Sequence, residues 1–230
     1  MIKRFISLEW KQFSRASYFQ KGLAIKILLI LGALYFGGMA ILLGGGMFFI
    51  LKEVLPDVDP IISINNFLVY WVLFELMIRY FLQQLPVMNI KPLMLIPIKR
   101  NAVIHYLLGK TVLSFFNFIS LFLFLPFSIV LLAKGYPPMN VILWFVSLMC
   151  ITMSLNFINF LINKSNTVFY IIAPLLLVFV GLEFFNIFKI SGPVGLVFNA
   201  LYNTPVFVLA PILIMSGMYY ANFKFIRKGF

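Results

Sequence analysis

Six stretches of this chain are apolar for about the length that a helix needs to cross a bilayer. A hydrocarbon core about 30 Å thick requires about 20 helical residues, because lipid offers no partner for unpaired backbone groups. The sequence therefore predicts an all-α, polytopic membrane protein with six transmembrane helices in a single domain, residues 1–230. The predicted spans are Ile27–Leu51, Phe67–Leu85, Ile104–Leu132, Val141–Ile162, Val168–Phe188 and Pro205–Tyr220.

The composition excludes a water-soluble fold. The apolar and aromatic residues (AVILMFWYC) make up 63% of the chain and charged residues only 10%, against about 45–50% and about 25% in soluble domains. The 28 Phe, 10 Tyr and 3 Trp side chains exceed what a core of this size could bury, so much of the apolar surface must face lipid. In such a chain the net charge of +12 indicates a basic cytoplasmic membrane face and no nucleic-acid partner.

The distribution of Lys and Arg predicts the orientation. If the N-terminus is inside, fourteen of the 18 basic residues lie on the cytoplasmic side, three lie on the opposite side, and Arg79 lies within the second span. The positive-inside rule then places both termini in the cytoplasm. Lys26 leads into a full-length span, which does not fit a secretory signal peptide.

Few residues suit catalysis or metal binding. A single cysteine, Cys150, and a single histidine, His105, exclude a disulfide framework and a metal site built on several Cys or His ligands. Gly109-Lys110-Thr111 ends like a phosphate-binding loop, but Ile104 stands where that motif requires its first glycine. We therefore expect no cofactor, no metal ion and no nucleotide site in this chain.

The first sixteen residues have an amphipathic pattern. On a helical wheel, apolar residues including Trp10 share one side, and basic residues including Arg15 share the other. This pattern predicts an interfacial helix, within the N-terminal flank 1–26, that contacts the lipids of the cytoplasmic leaflet. Glu9 falls on the apolar side, so we expect it to have a polar partner elsewhere in the protein. The alternative is a basic flank that only sets the topology.

The segment 86–103 is too apolar for a solvated linker, yet its three prolines and three cations prevent it from spanning the membrane. We predict a turn and a short helix at the membrane surface, with Lys99, Arg100 and Asn101 at the tip. Such an element suits the docking of a soluble partner beneath the membrane.

This segment also resembles a known motif. Leu95–Arg100 (LIPIKR), followed by Leu108–Lys110 (LGK), resembles the coupling segment between the second and third spans of type-2 ABC export permeases. Leu8–Trp10 with Arg15 resembles the amphipathic elbow helix of the same class. The resemblance implies that the ATP-binding subunit is contacted by Pro97, Ile98, Lys99, Arg100 and Asn101.

A second resemblance is to a narrower family. Phe74–Arg79, followed by Leu85–Pro92, looks like an uncharacterised family of Bacteroidota membrane proteins that is itself grouped with such permeases. The resemblance implies a multi-pass protein of the bacterial cytoplasmic membrane. Members of that family tend to be longer, so a C-terminal half or a second copy of the chain would complete the permease.

Together, these resemblances imply a transmembrane subunit of an ATP-driven exporter that is not itself an enzyme. A separate ATPase would supply the energy, and the aromatic spans favour an amphiphilic substrate. One alternative is a non-transporting membrane scaffold or assembly factor. Another is an intramembrane protease, because Glu75 and Arg79 match part of such a signature, although Phe74 replaces its second glutamate.

Glu75 and Arg79 are four residues apart and project from the same face of a helix, so they can form an ion pair within the second span. A lone charge at mid-bilayer costs about 2.5–3.5 kcal/mol, which favours a paired arrangement that faces other helices. Three roles remain open: structural pairing, a polar lock between two conformations, and contact with a polar substrate headgroup.

Other polar and small residues within the spans lead to further expectations. We expect Asn117, Asn156 and Asn159 to form hydrogen bonds across helices. Glu183 is expected to reach the membrane interface or to pair with Lys189. Small residues recur every three or four positions in the first span and would serve either a dimer interface or intrachain packing. They are Ala33, Gly37, Ala40 and Gly44.

Overall fold

The structure of the chain is a computed structural model that describes residues 11, 23–83, 100–162, 170, 174, 177, 178, 180–183, 185 and 190–229. Every regular element in these residues is helical, which confirms the all-α prediction for this part of the chain. A 3-10 helix, Pro205–Val208, precedes the last α-helix. The α-helices are α1 (Leu23–Val54), α2 (Pro60–Leu82), α3 (Arg100–Val112), α4 (Phe115–Ala133), α5 (Pro138–Ile162), α6 (Ser191–Asn203) and α7 (Leu209–Gly229).

Five segments in the described part of the chain are long and apolar enough to cross a membrane. They are Ile30–Val54, Pro60–Leu82, Phe115–Ala133, Pro138–Ile162 and Pro205–Lys228. The predicted span Val168–Phe188 lies largely outside the described residues.

The second span begins earlier than the sequence pattern predicted, at Pro60 and not at Phe67. Asp59 caps the helix, because its Oδ1 accepts a hydrogen bond of 3.1 Å from the backbone N–H of Ile61, and proline fits the first helical position. The phenol of Tyr136, between α4 and α5, donates to the same Asp59 oxygen at 2.7 Å. Burial and the nearby Asp59 carboxylate raise the pKa of Tyr136 above its usual value.

The prediction of the third span as one continuous helix, Ile104–Leu132, is wrong at its start. The chain breaks at Leu113 and Ser114 into the 13-residue helix α3 and the 19-residue helix α4. Ser114 has extended backbone angles of φ −68° and ψ 141°, which end the helical hydrogen-bond pattern. Within the predicted third span, only Phe115–Ala133 is long and apolar enough to cross the membrane.

The helices pack into a bundle with one apolar core at each end. One core lies at the end that contains Asp59 and Tyr136, which we call the Asp59 end. The other lies at the end where α3 begins, which we call the Arg100 end. The Asp59-end core includes Phe48, Ile64, Leu68, Phe127, Trp144 and Phe198, and the Arg100-end core includes Val103, Ile104, Leu107, Phe157, Phe160 and Ile226.

Glycine allows two close helix contacts in this bundle. A Cβ atom built on Gly44 of α1 would lie 2.1 Å from the backbone oxygen of Leu123 in α4. A Cβ atom on Gly195 of α6 would lie 1.8 Å from Oδ1 of Asn66 in α2. Of the two roles open for the small residues of the first span, the structure assigns Gly44 to intrachain packing.

Candidate functional site

Between the two apolar cores lies a set of buried polar side chains, contributed by four helices. Two of its members are charged and six are neutral, and each side chain is less than 9% exposed. We call this set the polar cluster. It consists of Glu75 and Arg79 from α2, Gln83 at the C-cap of α2, Thr111 from α3, Asn117 and Ser120 from α4, and Asn156 and Asn159 from α5.

An ion pair within α2 lies at the centre of the polar cluster. Arg79 Nε donates to Glu75 Oε1 at 3.1 Å, and Arg79 Nη2 forms an ion pair with the same oxygen. Ser120 Oγ of α4 also donates to this oxygen, at 3.1 Å. The side chain of Arg79 is 0% exposed and that of Glu75 is 5% exposed. Each charge is therefore neutralised within one helical turn, as an intramembrane carboxylate and guanidinium require.

The guanidinium group of Arg79 uses all three of its nitrogen atoms in contacts with other side chains. In addition to the bonds to Glu75, Nη1 donates to Gln83 Oε1 at 3.4 Å and Nη2 donates to Asn117 Oδ1 at 2.8 Å. The Phe116 ring centre lies 5.7 Å from Cζ, within cation–π range. Arg79 therefore connects α2 to the first turn of α4, and it presents no surface to a substrate headgroup in this conformation.

A second series of hydrogen bonds connects α2 through α5 to α3. Gln83 Nε2 donates to Asn156 Oδ1 at 2.6 Å, and Asn156 Nδ2 donates to Thr111 Oγ1 at 2.9 Å. Asn159 Nδ2 lies 3.3 Å from both the backbone oxygen of Arg79 and Gln83 Oε1. The prediction that Asn156 and Asn159 bond across helices is confirmed.

Asn117 occupies the junction between α3 and α4. Its Nδ2 donates to the backbone oxygens of Val112 at 2.7 Å and Thr111 at 3.4 Å, which are at the C-terminus of α3. Both carbonyl groups belong to the last turn of α3, where the helical hydrogen-bond pattern ends, and that of Thr111 also accepts from the backbone N–H of Ser114. Since its Oδ1 accepts from Arg79, Asn117 also bonds across helices as predicted.

The polar cluster joins four helices through hydrogen bonds and one ion pair. One cation and one anion balance each other among its eight side chains, and the rest are neutral donors and acceptors. Within the described ranges, no three or more His, Cys, Asp or Glu residues are grouped so that they could hold a metal ion. A rearrangement of the four helices would have to exchange these hydrogen bonds, because leaving any of the groups buried and unpaired is costly.

Only part of the predicted coupling contact lies in the described residues. Arg100 and Asn101 are the first two residues of α3, and both are exposed at the Arg100 end. The other three residues of that prediction, Pro97, Ile98 and Lys99, lie outside the described residues. So do the elbow-helix residues Glu9, Trp10 and Arg15.

His105 lies on the surface between α3 and α7. Its Nδ1 is 2.5 Å from the hydroxyl of Tyr219, and its ring stacks on Phe223 at 4.8 Å between centroids. Glu75, in contrast, bonds Arg79 and Ser120 of the polar cluster. The structure therefore places His105 and the Glu75–Arg79 pair in different side-chain groups.

Glu183 caps the N-terminus of α6. Its Oε2 accepts hydrogen bonds of 3.2 Å from the backbone N–H groups of Ile190 and Ser191, and its Oε1 bonds the Ser191 hydroxyl. A carboxylate is favourable there because the first N–H groups of a helix lack intrahelical acceptors. Neither of the two predicted roles included this contact, and Lys189 lies outside the described residues.

Sequence reasoning did not single out Gln83, Thr111 or Ser120 as members of a site. A signal was present for two of them. Gln83 continues the four-residue spacing of Glu75 and Arg79, and Ser120 follows Asn117 by three residues, so each shares a helix face with a polar neighbour. Thr111 had no such signal, because its hydroxyl donates to Leu108 O within α3 and accepts from Asn156 only once α5 has packed nearby.

A comparison with protein families identifies the chain at the family level. The model of a family of unknown function, DUF5687, matches residues 9–230. The chain belongs to DUF5687. No curated protein and no solved structure matches this DUF5687 chain.

Proposed function

We propose that this DUF5687 chain is the transmembrane permease subunit of an ATP-driven ABC exporter with an amphiphilic substrate. In this proposal a separate ATP-binding subunit hydrolyses ATP, and a second copy or a C-terminal half completes the permease. The observation that carries the proposal is the separate helix α3. It follows directly on the segment that resembles a coupling segment, and it begins with two exposed residues, Arg100 and Asn101.

In this proposal, helix α3 transmits movement from its exposed first residues to the polar cluster at its last turn. Its 13 residues extend about 20 Å, which is too short to cross a bilayer. One face packs on α5 and α7 through Val103, Ile104 and Leu107, which are buried with Phe157 and Ile226. Its last turn bonds to the polar cluster. A displacement of the exposed end by a partner would therefore move groups that hold α2, α4 and α5 together.

Our proposal includes six spans and cytoplasmic termini in a bacterial inner membrane. The described residues support an even number of crossings. α5 ends in the Arg100-end core, whereas α6 begins beside α2 near the Asp59 end, so the end of α5 and the start of α6 lie at opposite ends of the bundle. Residues 180–183 within this interval are helical. The excess of basic residues favours the Arg100 end as the cytoplasmic side.

Cysteine labelling in intact cells tests this topology. In a Cys150→Ala background, Met139→Cys should react with a membrane-impermeant maleimide applied from outside, because Met139 is exposed at the Asp59 end. Asn101→Cys and Lys228→Cys should react only after the inner membrane is permeabilised. Labelling of Asn101→Cys and Lys228→Cys on opposite sides of the membrane would rule out six spans.

Charge reversal at the start of α3 tests the coupling proposal. The variant Lys99→Glu/Arg100→Glu should reduce co-purification of the ATP-binding subunit from native membranes by roughly tenfold or more, because like charges across an interface oppose association. Lys228→Glu is the matched control, since Lys228 is also exposed near the Arg100 end. It should leave co-purification within about twofold of the unmodified chain, as expected for a charge at the rim or outside the contact.

The result of this co-purification experiment also distinguishes the permease from the two alternative functions. A chain that never recruits an ATP-binding subunit, with no phenotype for the double charge reversal, would favour a membrane scaffold or assembly factor. For the protease alternative, Glu75→Gln would have to abolish turnover of a membrane substrate while the assembly stays intact.

A further inference from the structure

The connection between α3 and α4 is only two residues long, and its own bonds are weakly restraining. The backbone N–H of Leu113 bonds the oxygen of Lys110 at 3.2 Å, and that of Ser114 bonds the oxygen of Thr111 at 3.1 Å. Ser114 occupies the N-cap position of α4, but its hydroxyl forms no capping hydrogen bond. Contacts outside the connection therefore add to the restraint on the angle between the two helices.

Asn117 supplies such contacts through both the NH₂ group and the carbonyl oxygen of its side-chain amide. The NH₂ of Asn117 donates to the last carbonyl groups of α3, at Val112 and Thr111. Its carbonyl oxygen accepts from Arg79 Nη2 at 2.8 Å. Only 5% of the side chain is exposed, so water cannot readily replace either partner.

We propose that Asn117 is a positioning residue that latches α3 to the ion pair in α2. The inference rests on the proposed function, because it takes α3 as the helix moved by the ATP-binding subunit. While the amide keeps both sets of partners, α3 keeps its angle to α4 and its distance from α2. Movement of α3 requires Asn117 to release either the Val112 and Thr111 carbonyls or Arg79.

Other members of the polar cluster connect this latch into a ring of hydrogen bonds. Thr111 is also connected to α2 through Asn156 and Gln83, and Gln83 accepts from Arg79, so the hydrogen bonds form a closed ring. In a closed buried ring, partial opening leaves donors or acceptors unpaired. Opening the ring at one bond therefore costs more than the bond itself, and the complete ring holds α3 in the arrangement seen here.

Distances between spin labels test the latch directly in the full chain. We would attach nitroxides at Asn101→Cys on α3 and Met139→Cys at the Asp59 end, in a Cys150→Ala background, and measure the distance distribution by pulsed electron paramagnetic resonance. Without substitution at Asn117 the distribution should be narrow. Asn117→Leu, which removes both sets of bonds, should make it roughly twofold wider or shift its maximum.

A second Asn117 variant and a matched control separate the latch from a general loss of stability. Asn117→Asp keeps an acceptor for Arg79 but cannot donate to the α3 carbonyls, so it should also widen or shift the distribution. Asn65→Leu is the control. Asn65 is 0% exposed and bonds to Asn199 and Trp144 at the Asp59 end, so this variant should lower the melting temperature but leave the distribution unchanged.

The latch is overturned if both Asn117 variants fold and give the distribution of the unmodified chain. It is also overturned if Asn117→Asp fails to fold, because the residue would then be required for general stability. The labelled chain needs no partner for this measurement. If the chain recruits no ATP-binding subunit but its Asn117 variants show the wider distance distribution, the proposed function is refuted and the latch is supported. If the chain recruits an ATP-binding subunit but its Asn117 variants keep the distribution of the unmodified chain, the latch is refuted and the proposed function is supported.

Discussion

Replacing Arg79 with leucine should lower the free energy of unfolding by about 3–5 kcal/mol, because it leaves a buried carboxylate without its counter-charge. Glu75 is 5% exposed, and both Arg79 bonds to it are lost in this variant. The acceptors Oε1 of Gln83 and Oδ1 of Asn117 lose a donor as well. Titration with sodium dodecyl sulfate, followed by circular dichroism, would measure the change in detergent-solubilised protein.

The control is Arg227→Leu, which removes an exposed arginine and should change the free energy of unfolding by no more than about 0.5 kcal/mol. The double variant Glu75→Leu/Arg79→Leu should recover much of the loss, since it removes the unpaired buried charge. A single variant as stable as the unmodified chain would contradict the buried pair.

The same double variant distinguishes structural pairing from a polar lock. If the pair only stabilises the bundle, a folded double variant should still support export. If the pair holds one of two conformations, the double variant should fold but lose coupling between ATP hydrolysis and export. Export by reconstituted vesicles, compared with the ATPase rate of the complex, would measure this difference.

Gly44→Ala should destabilise the bundle by about 1–3 kcal/mol or more, because an added methyl group would force α1 away from α4. The new Cβ atom would lie 2.1 Å from the oxygen of Leu123, and a backbone atom cannot turn aside as a side chain can. The loss should appear as a lower melting temperature in detergent and as weaker protection of α1 from proteolysis.

The matched control is Gly38→Ala, six residues earlier in the same helix. No heavy atom lies within 4 Å of the Cβ position at Gly38. Because alanine is the better helix former, this variant should be neutral or stabilise the protein by up to about 1 kcal/mol. Equal losses from the two substitutions would show that Gly44 is not in a close helix contact.

Several features of the fold could be predicted from local sequence. Apolar length alone predicted helices suited to a membrane, and the spacing of Glu75 and Arg79 placed both on one helix face. The earlier start of α2 was also readable in principle, because Asp59-Pro60 is a typical N-cap and first helical residue. These features depend on neighbours within one or two turns.

The break between α3 and α4 was not predictable in the same way. Residues 115–132 are apolar almost throughout, whereas residues 104–114 contain His105, Lys110 and Thr111, but lower hydropathy at one end of a stretch does not by itself locate a helix break. The break is stabilised by Asn117, whose amide donates to the carbonyl of Val112 and, at the longer distance of 3.4 Å, to that of Thr111. Serine and asparagine also occur within intact membrane helices, so neither residue alone marks a break.

The amino-acid sequence by itself determined that the chain forms apolar helices and that the charges in α2 can pair. Only the tertiary structure decided which side chains complete that pair and which glycines lie between helices. The physical reason is that lipid and a helical core are equally apolar, so hydropathy does not distinguish a lipid-facing side from a packed one. Polar partners such as Gln83 and Asn156, 73 residues apart, meet only when distant helices have packed.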